Sequence, residues 1–451
     1  MDATVTPTLS EAKGRGRSAA SDLPFSALLA TAARQPAPSW LTALRQAGAE
    51  RFAATGIPGS KDEEWRFTPV TPMGRVDWAL PQAGATVTAA EIAPHLFDPA
   101  WPTIVLVDGR YDATLSRVGT LPAGVRVMGL AEAIAAEVPE VAAHLGRTAD
   151  PMQTPFTALS AATFTDGLFV HVPSAASLDV PVQLVHVTTD RAADALLAPR
   201  LLVVVGDNAR AALVESYVSL GQARHATNTV AEVVVGRNSW VEHIRVQREN
   251  EAAWHIGFTQ VDQQRDSHYR SFALAMGGHL ARHNLHARLG DENIETLLYG
   301  LYLTRGEQLA DTHSAIFHDH PNCNSWEVYK GVLADQSRAV FNGKVFVQPI
   351  AQKTDAKQTN RNLLLSDRAK VDTKPQLEIF ADDVKCTHGA TVGKLDEMQR
   401  YYLKTRGIGG KQAEQLLIWA FAAEVLAEIT QDAVRDRLEQ VVHARLDELT
   451  R

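Results

Sequence analysis

The chain has 451 residues, 45% apolar and 21% charged, a globular balance that allows two or three domains and excludes disulfide scaffolds, collagen-like or coiled-coil chains and wholesale disorder. Lys and Arg number 44 against 52 Asp and Glu, with no basic run, so no electrostatic footprint for nucleic acid is present. The apolar stretch from Leu416 to Ala423 is far short of the roughly 20 residues of a membrane span, and two cysteines, Cys323 and Cys386, point to a reducing compartment, the cytosol by default.

Residues 1–36, rich in Ala, Ser, Thr and Pro, read as a flexible tail. Asp2, Glu11 and Asp22 argue against an organellar transit peptide, which avoids acids. Residues 37–155 read as a mainly helical domain. Trp40, Leu41, Leu44 and Phe52 predict an amphipathic helix from Ser39 to Ala54 that ends before Gly56 and Pro58. Thr103 to Val107 reads as a buried strand beside a turn at Asp108-Gly109, and Leu130 to Leu145 as helix broken at Pro139.

Residues 156–393 carry the all-β signal. Short runs of Val, Ile, Leu, Phe and Tyr, such as Leu201 to Val205, Val230 to Val235, Trp240 to Val246 and Ala339 to Val347, are punctuated by Gly, Asn and Asp. A sandwich pair, a propeller or a β-helix could absorb so many strands, and no strict period separates them. Residues 394–451 are helical again. Leu416, Leu417, Trp419, Phe421, Val425 and Leu426 form a broad apolar face from Gln412 to Ile429, and a second amphipathic helix follows Thr430, an N-cap type of residue. Two helices make a poor core, so they pack on the β region or on a partner, with Trp419 and Phe421 the candidate contact residues.

Histidines are the first candidates for chemistry. His318-Asp319-His320 puts two imidazoles on one strand face, with His313 upstream and Glu327 beyond, a set that suits Zn, Fe or Cu; His279, His283 and His286 split across both faces of a strand. The plainer reading is histidines hydrogen-bonded along strands and turns. In Cys386-Thr387-His388 a thiol and an imidazole share one strand face, half of a metal site. Two cysteines cannot supply the four thiolates that commonly hold an iron–sulfur cluster, so any cluster needs ligands from another polypeptide. The plainer reading makes Cys386 a small buried hydrophobe and His388 a turn residue before Gly389. Phosphate loops, nucleophile elbows and Cys-x-x-Cys pairs are absent. Lys61 to Arg66 reads as a helix start anchored by Trp65, and Gln352 to Asn362 as either a solvated turn or a polar ridge inside a β-solenoid.

Together, Gly56 to Arg66, Ser337 to Val347, Ala351 to Thr354, Asn362 to Ser366, Thr373 to Ile379, Ala381 to Thr391 and Tyr402 to Ile408 resemble the SufB/SufD family of the Suf iron–sulfur cluster assembly machinery, on its SufD side, over about residues 40 to 430. The resemblance implies a right-handed parallel β-helix core flanked by N-terminal and C-terminal helical domains. It also implies a non-catalytic scaffold that pairs with a SufB homologue through the β-helices and docks the ATPase SufC on its C-terminal domain, where Trp419 and Phe421 lie. The cluster would be assembled transiently in that complex, with no cofactor resident in the isolated chain. His388 would serve as a metal ligand at the interface, with Cys386 beside it. SufB carries a sulfur-accepting cysteine where this chain reads Thr359-Asn360-Arg361-Asn362, with no thiol, a departure that fits SufD. Whether the isolated chain forms a homodimer is left open. The alternative is a metal-dependent β-fold enzyme using His313, His318 and His320, or a polysaccharide-acting β-helix.

Overall fold

The computed structural model describes residues 25–450 apart from 83, 85 and 179. It is mainly β, with 38% strand and 25% helix, and its centre is a parallel β-solenoid of about eight turns with helices at both ends of the chain. Along one sheet the strands run Arg110–Tyr111, Thr103–Val107, Val182–Thr188, Arg210–Ser219, Trp240–Arg248, His268–Ala275, Glu295–Thr304, Asn324–Leu333, Asp355–Leu364 and Lys385–Gly393. The facing sheet runs Arg126–Gly129, Gly167–Val172, Arg200–Val205, Ala226–Val235, Trp254–Gln263, Leu280–Leu289, Leu309–His318, Arg338–Val347 and Lys370–Ile379.

The stacking explains why no period is visible in the sequence. Trp240, His268, Glu295, Asn324, Asp355 and Lys385 lie directly over one another, so successive coils differ in length by a residue or two. One corner is built alike in successive coils. Asn208, Asn238, Asp266, Asn293 and Asn322 take left-handed φ of 51° to 61°, a conformation Asn and Asp adopt at low cost. The backbone N–H of Asn208, Asn238 and Asp266 each donates to a carbonyl of the next coil. These residues are the Asn and Asp punctuation of the sequence.

The inner strands bury both faces. One points into the lumen, where Leu285, Ala287, Leu298, Ile316 and Phe341 belong to a continuous apolar core. The other is covered from outside. Helices Gly410–Leu426 and Asp432–Leu449 lay Ile418, Val425, Leu426, Leu438 and Leu446 on Ile244, Phe272, Leu297, Leu301 and Val332 of the first sheet, so the C-terminal helices are packed against the β region. At roughly 25 cal/mol per Å² of apolar surface removed from water, such a face accounts for the docking without special contacts. On the facing sheet, Phe52, Trp65, Phe156 and Leu159 pack against Ile256, Leu280 and Leu309.

Three expectations are corrected. The part of the expected tail that lies at residues 1–24 is outside the described residues, but Ser26–Ala32 is a helix, and Phe25 sits edge-on to Phe52 with ring centroids 5.6 Å apart. The N-terminal region is not separate from the solenoid, since Thr103–Val107 pairs parallel with Val182–Thr188 and Arg126–Gly129 antiparallel with Gly167–Val172. Thr430 is no helix cap: its N–H and hydroxyl both donate to Glu242 of the solenoid, and Gln431 holds the cap position.

Candidate functional site

The solenoid ends openly. Strand Lys385–Gly393 is the last of its sheet and pairs on one side only, with Asp355–Leu364. Of its nine residues all but the half-buried Cys386 are exposed. The last strand of the facing sheet, Lys370–Ile379, likewise pairs on one side, with Arg338–Val347. Such edges present free backbone donors and acceptors, which isolated proteins protect and interfaces use.

Cys386 and His388 both lie on this last strand. In a parallel sheet, residues in register share a face; Ala356 pairs with Cys386 and Gln358 with His388. Ala356 is buried inside and Gln358 reaches across toward Gly343 of the facing sheet. Cys386 and His388 therefore lie on the lumen face of the final coil, at its mouth, with Cys386 packed beside Ala356, Ala381 and Leu377. Burial pushes the Cys386 thiol up, opposed by a backbone hydrogen bond from Ala356, so the thiol stays protonated at neutral pH.

The other histidines do not converge. His313 faces outward, its Nδ1 3.2 Å from Glu64 and its Nε2 3.0 Å from Asp311. His318 is inward and fully buried, Nε2 2.9 Å from Ser325 Oγ, and burial pushes its pKa down to about 3. His320 lies in the bend that follows. The metal-enzyme arrangement of these three is therefore overturned, and among the described residues no group of three His, Cys, Asp or Glu side chains is placed to hold a metal ion. His283 and His286 do split as their spacing requires. His283 meets Thr259 at 3.0 Å inside, while His286 lies between Phe258 and Phe317 outside.

The lumen holds polar groups that spacing did not reveal. Glu215 lies 3.5 Å from His186 and 3.2 Å from His243; burial pushes its carboxyl up, but the two imidazoles outweigh burial and hold it well below the usual range. Glu249 is held likewise between His225 and His255. His186, Glu215 and His243 sit on three successive strands of one sheet, so only the coil register could have brought them together. Of the two readings of Gln352 to Asn362, both apply to different parts: Gln352 and Lys353 form a turn, and Gln358, Asn360 and Asn362 form a polar ridge inside, where Asn360 and Asn362 bond to each other and to Tyr302. Lys61 to Arg66 makes a single 3-10 turn, Glu63–Trp65, rather than a longer helix.

Trp419 and Phe421 spend much of their surface on the chain itself. Trp419 stacks on His443 at 3.6 Å, and Lys330 Nζ lies 4.6 Å from the Phe421 ring centroid. The apolar residues left open on the C-terminal helices are Met398, Tyr401, Tyr402 and Leu416.

Residues 186–421 match the SufBD core domain of the SUF iron–sulfur cluster assembly system, and residues 29–184 match the SufBD protein N-terminal region. The chain belongs to the SufBD family. It is SufD-like: it is 34% identical to the iron–sulfur cluster assembly protein SufD of Escherichia coli over 88% of this chain and 90% of that one. A SufBD family protein of Synechocystis is 35% identical, over 89% and 90% of the two chains, and the chloroplastic protein ABCI7 of Arabidopsis thaliana is 33% identical, over 90% and 86%. Iron–sulfur cluster assembly is thus the process in which this SufD-like chain takes part, and no described helix is long and apolar enough to cross a membrane.

Proposed function

We propose that this chain is a non-catalytic scaffold of a cytosolic Suf complex, supporting de novo cluster assembly and iron acquisition at an interface with a SufB homologue and coupled to a SufC-type ATPase. The observation that carries the reading is the open last coil. On this nine-residue strand with a free edge, His388 and seven others are left exposed and Cys386 half-buried, where a second solenoid could continue the sheets. A partner strand there would cover the edge and bring its own ligands to His388, as a chain with two cysteines requires. The exposed Met398, Tyr401, Tyr402 and Leu416 replace Trp419 and Phe421 as the favoured ATPase contact. When the ATPases close on ATP, their differential affinity for an open heterodimer shifts the population toward it and lets iron reach His388. Iron and cluster are cargo in this scheme.

The test is anaerobic reconstitution of the whole complex with His388→Ala. Loss of cluster yield with complex stoichiometry retained supports the reading. Unchanged yield and unchanged maturation of cluster proteins in cells overturn it. Deleting residues from Asp396 onward is a poor test of docking, because it strips the cover from Ile244, Phe272 and Val332; Tyr401→Ala with Met398→Ala removes exposed surface alone.

A further inference from the structure

Behind His388 the lumen contains an acid with no counter-charge. Leu298, Glu327, Gln358 and His388 stand in register on four successive strands of one sheet, which places Glu327 two strands behind His388, roughly 10 Å away at strand spacing. Glu327 is 1% exposed and Gln358 2%. Among the described residues no Lys, Arg or His forms an ion pair with Glu327. Both of its oxygens, both polar atoms of Gln358 and the hydroxyl of Ser314, 3% exposed on the facing sheet, lack a partner in hydrogen-bond geometry within the chain. Buried polar groups are rarely left so, and five together in one place are groups that a bound ligand would satisfy.

A glycine of the facing sheet lets these side chains come close to its backbone. A Cβ on Gly343 would stand 3.0 Å from Glu327 Oε2, 2.8 Å from the Gln358 amide nitrogen and 2.9 Å from Phe341 Cζ, so the ends of both polar side chains converge beside Gly343, with the Phe341 ring against them. Ser314 and Gln358 come near enough to favour the ionised carboxylate, but burial dominates and pushes Glu327 up to about 7; a positive charge is what the site lacks. The donors are a carboxylate, a carboxamide whose oxygen a flip of the group turns inward, and a hydroxyl. This is a hard oxygen set, suited to a divalent cation that keeps part of its water.

We infer that Glu327, with Gln358 and Ser314, forms a divalent-cation site inside the lumen of this chain, one strand beyond the neighbour of His388. The site is separate from His388 and stands whether or not His388 receives iron; its position on the same lumen face makes it a holding site on the way to the mouth.

The experiment is titration of the purified full-length chain with Mn2+, followed by the electron paramagnetic resonance signal of the free ion, and repeated with Fe2+ under anaerobic conditions. One site is expected, weakened at least tenfold in Glu327→Gln, which keeps the shape and removes the charge, and in Gly343→Ala, whose methyl would displace the ends of Glu327 and Gln358. His388→Ala is expected to bind as the parent does. Absence of a site in the parent, unchanged binding by Glu327→Gln, or loss confined to His388→Ala overturns the inference, and the last of these leaves the His388 reading intact. Unfolding midpoints of each variant separate a lost site from a lost fold, and Ser314→Ala serves if Gly343→Ala fails to fold.

Discussion

The guanidinium carbon of Arg282 lies 3.8 Å from the ring centroid of Trp65, joining the Lys61 to Arg66 segment to a solenoid strand more than 200 residues later. The same guanidinium donates to Asp311 at 2.7 Å and to the Glu64 carbonyl at 2.7 Å, and Thr68 adds a hydroxyl to Asp311. Arg282 and Asp311 are both almost wholly buried. Asp311→Asn is expected to destabilise the protein by about 3–5 kcal/mol, because it strands a buried cation, while Arg282→Met with Asp311→Leu recovers much of the loss. Urea unfolding of the singles and the double measures this.

Lys330 reaches out from the opposite sheet to the C-terminal helices. Its ammonium, 2% exposed, donates to the Phe421 carbonyl at 2.8 Å and pairs with Glu424 at 2.5 Å. Lys330→Met keeps the stem and removes the charge. The expected cost is about 1–3 kcal/mol, seen as faster proteolysis after residue 395 with the solenoid resistant.

Val392 is 46% exposed on the last strand. Val392→Glu is expected to leave the unfolding free energy within about 0.5 kcal/mol of the parent while weakening association with a SufB homologue, read by light scattering of the mixed chains. Normal association would overturn the placing of the interface on this strand.

His318 predicts a pH dependence. Burial depresses its pKa to about 3 in the folded protein against about 6.5 unfolded, so below pH 6.5 the unfolded chain binds the extra proton and stability falls with falling pH. The loss from this group between pH 7 and pH 5 is about 2 kcal/mol. His318→Gln, which retains a partner for Ser325, is expected to flatten that part of the stability profile, measured by denaturant midpoints at both pH values.

Local elements were legible because they obey local rules. Thr103–Val107 lies where its apolar run puts it, and the break at Pro139 divides helix Leu130–Ala135 from Pro139–His144. The motifs around Phe341 and His388 carried the family, and through it the solenoid. Which residues meet across coils was not legible. Strand alternation tells that Glu327 and Ser325 share a face, but not that the face is the lumen, nor that Gly343 lies opposite. The pairing of Glu215 with His186 and His243 depends on coil lengths, which vary. Trp419 and Phe421 show the same limit: an apolar helix face declares that something covers it, and here Lys330 and His443 take part of it.

A solenoid coil is steadied by the coil on either side, and the last coil has one neighbour where the inner ones have two. Lys385–Gly393 is therefore where the stack frays first, and its amides should exchange with solvent faster than those of Asn324–Leu333. The strand that carries His388 is thus the least rigid part of the stack until a partner supplies the missing neighbour. Order at His388 and assembly then rise together, so that a subunit on its own holds its ligand strand loosely and a docked one holds it firmly.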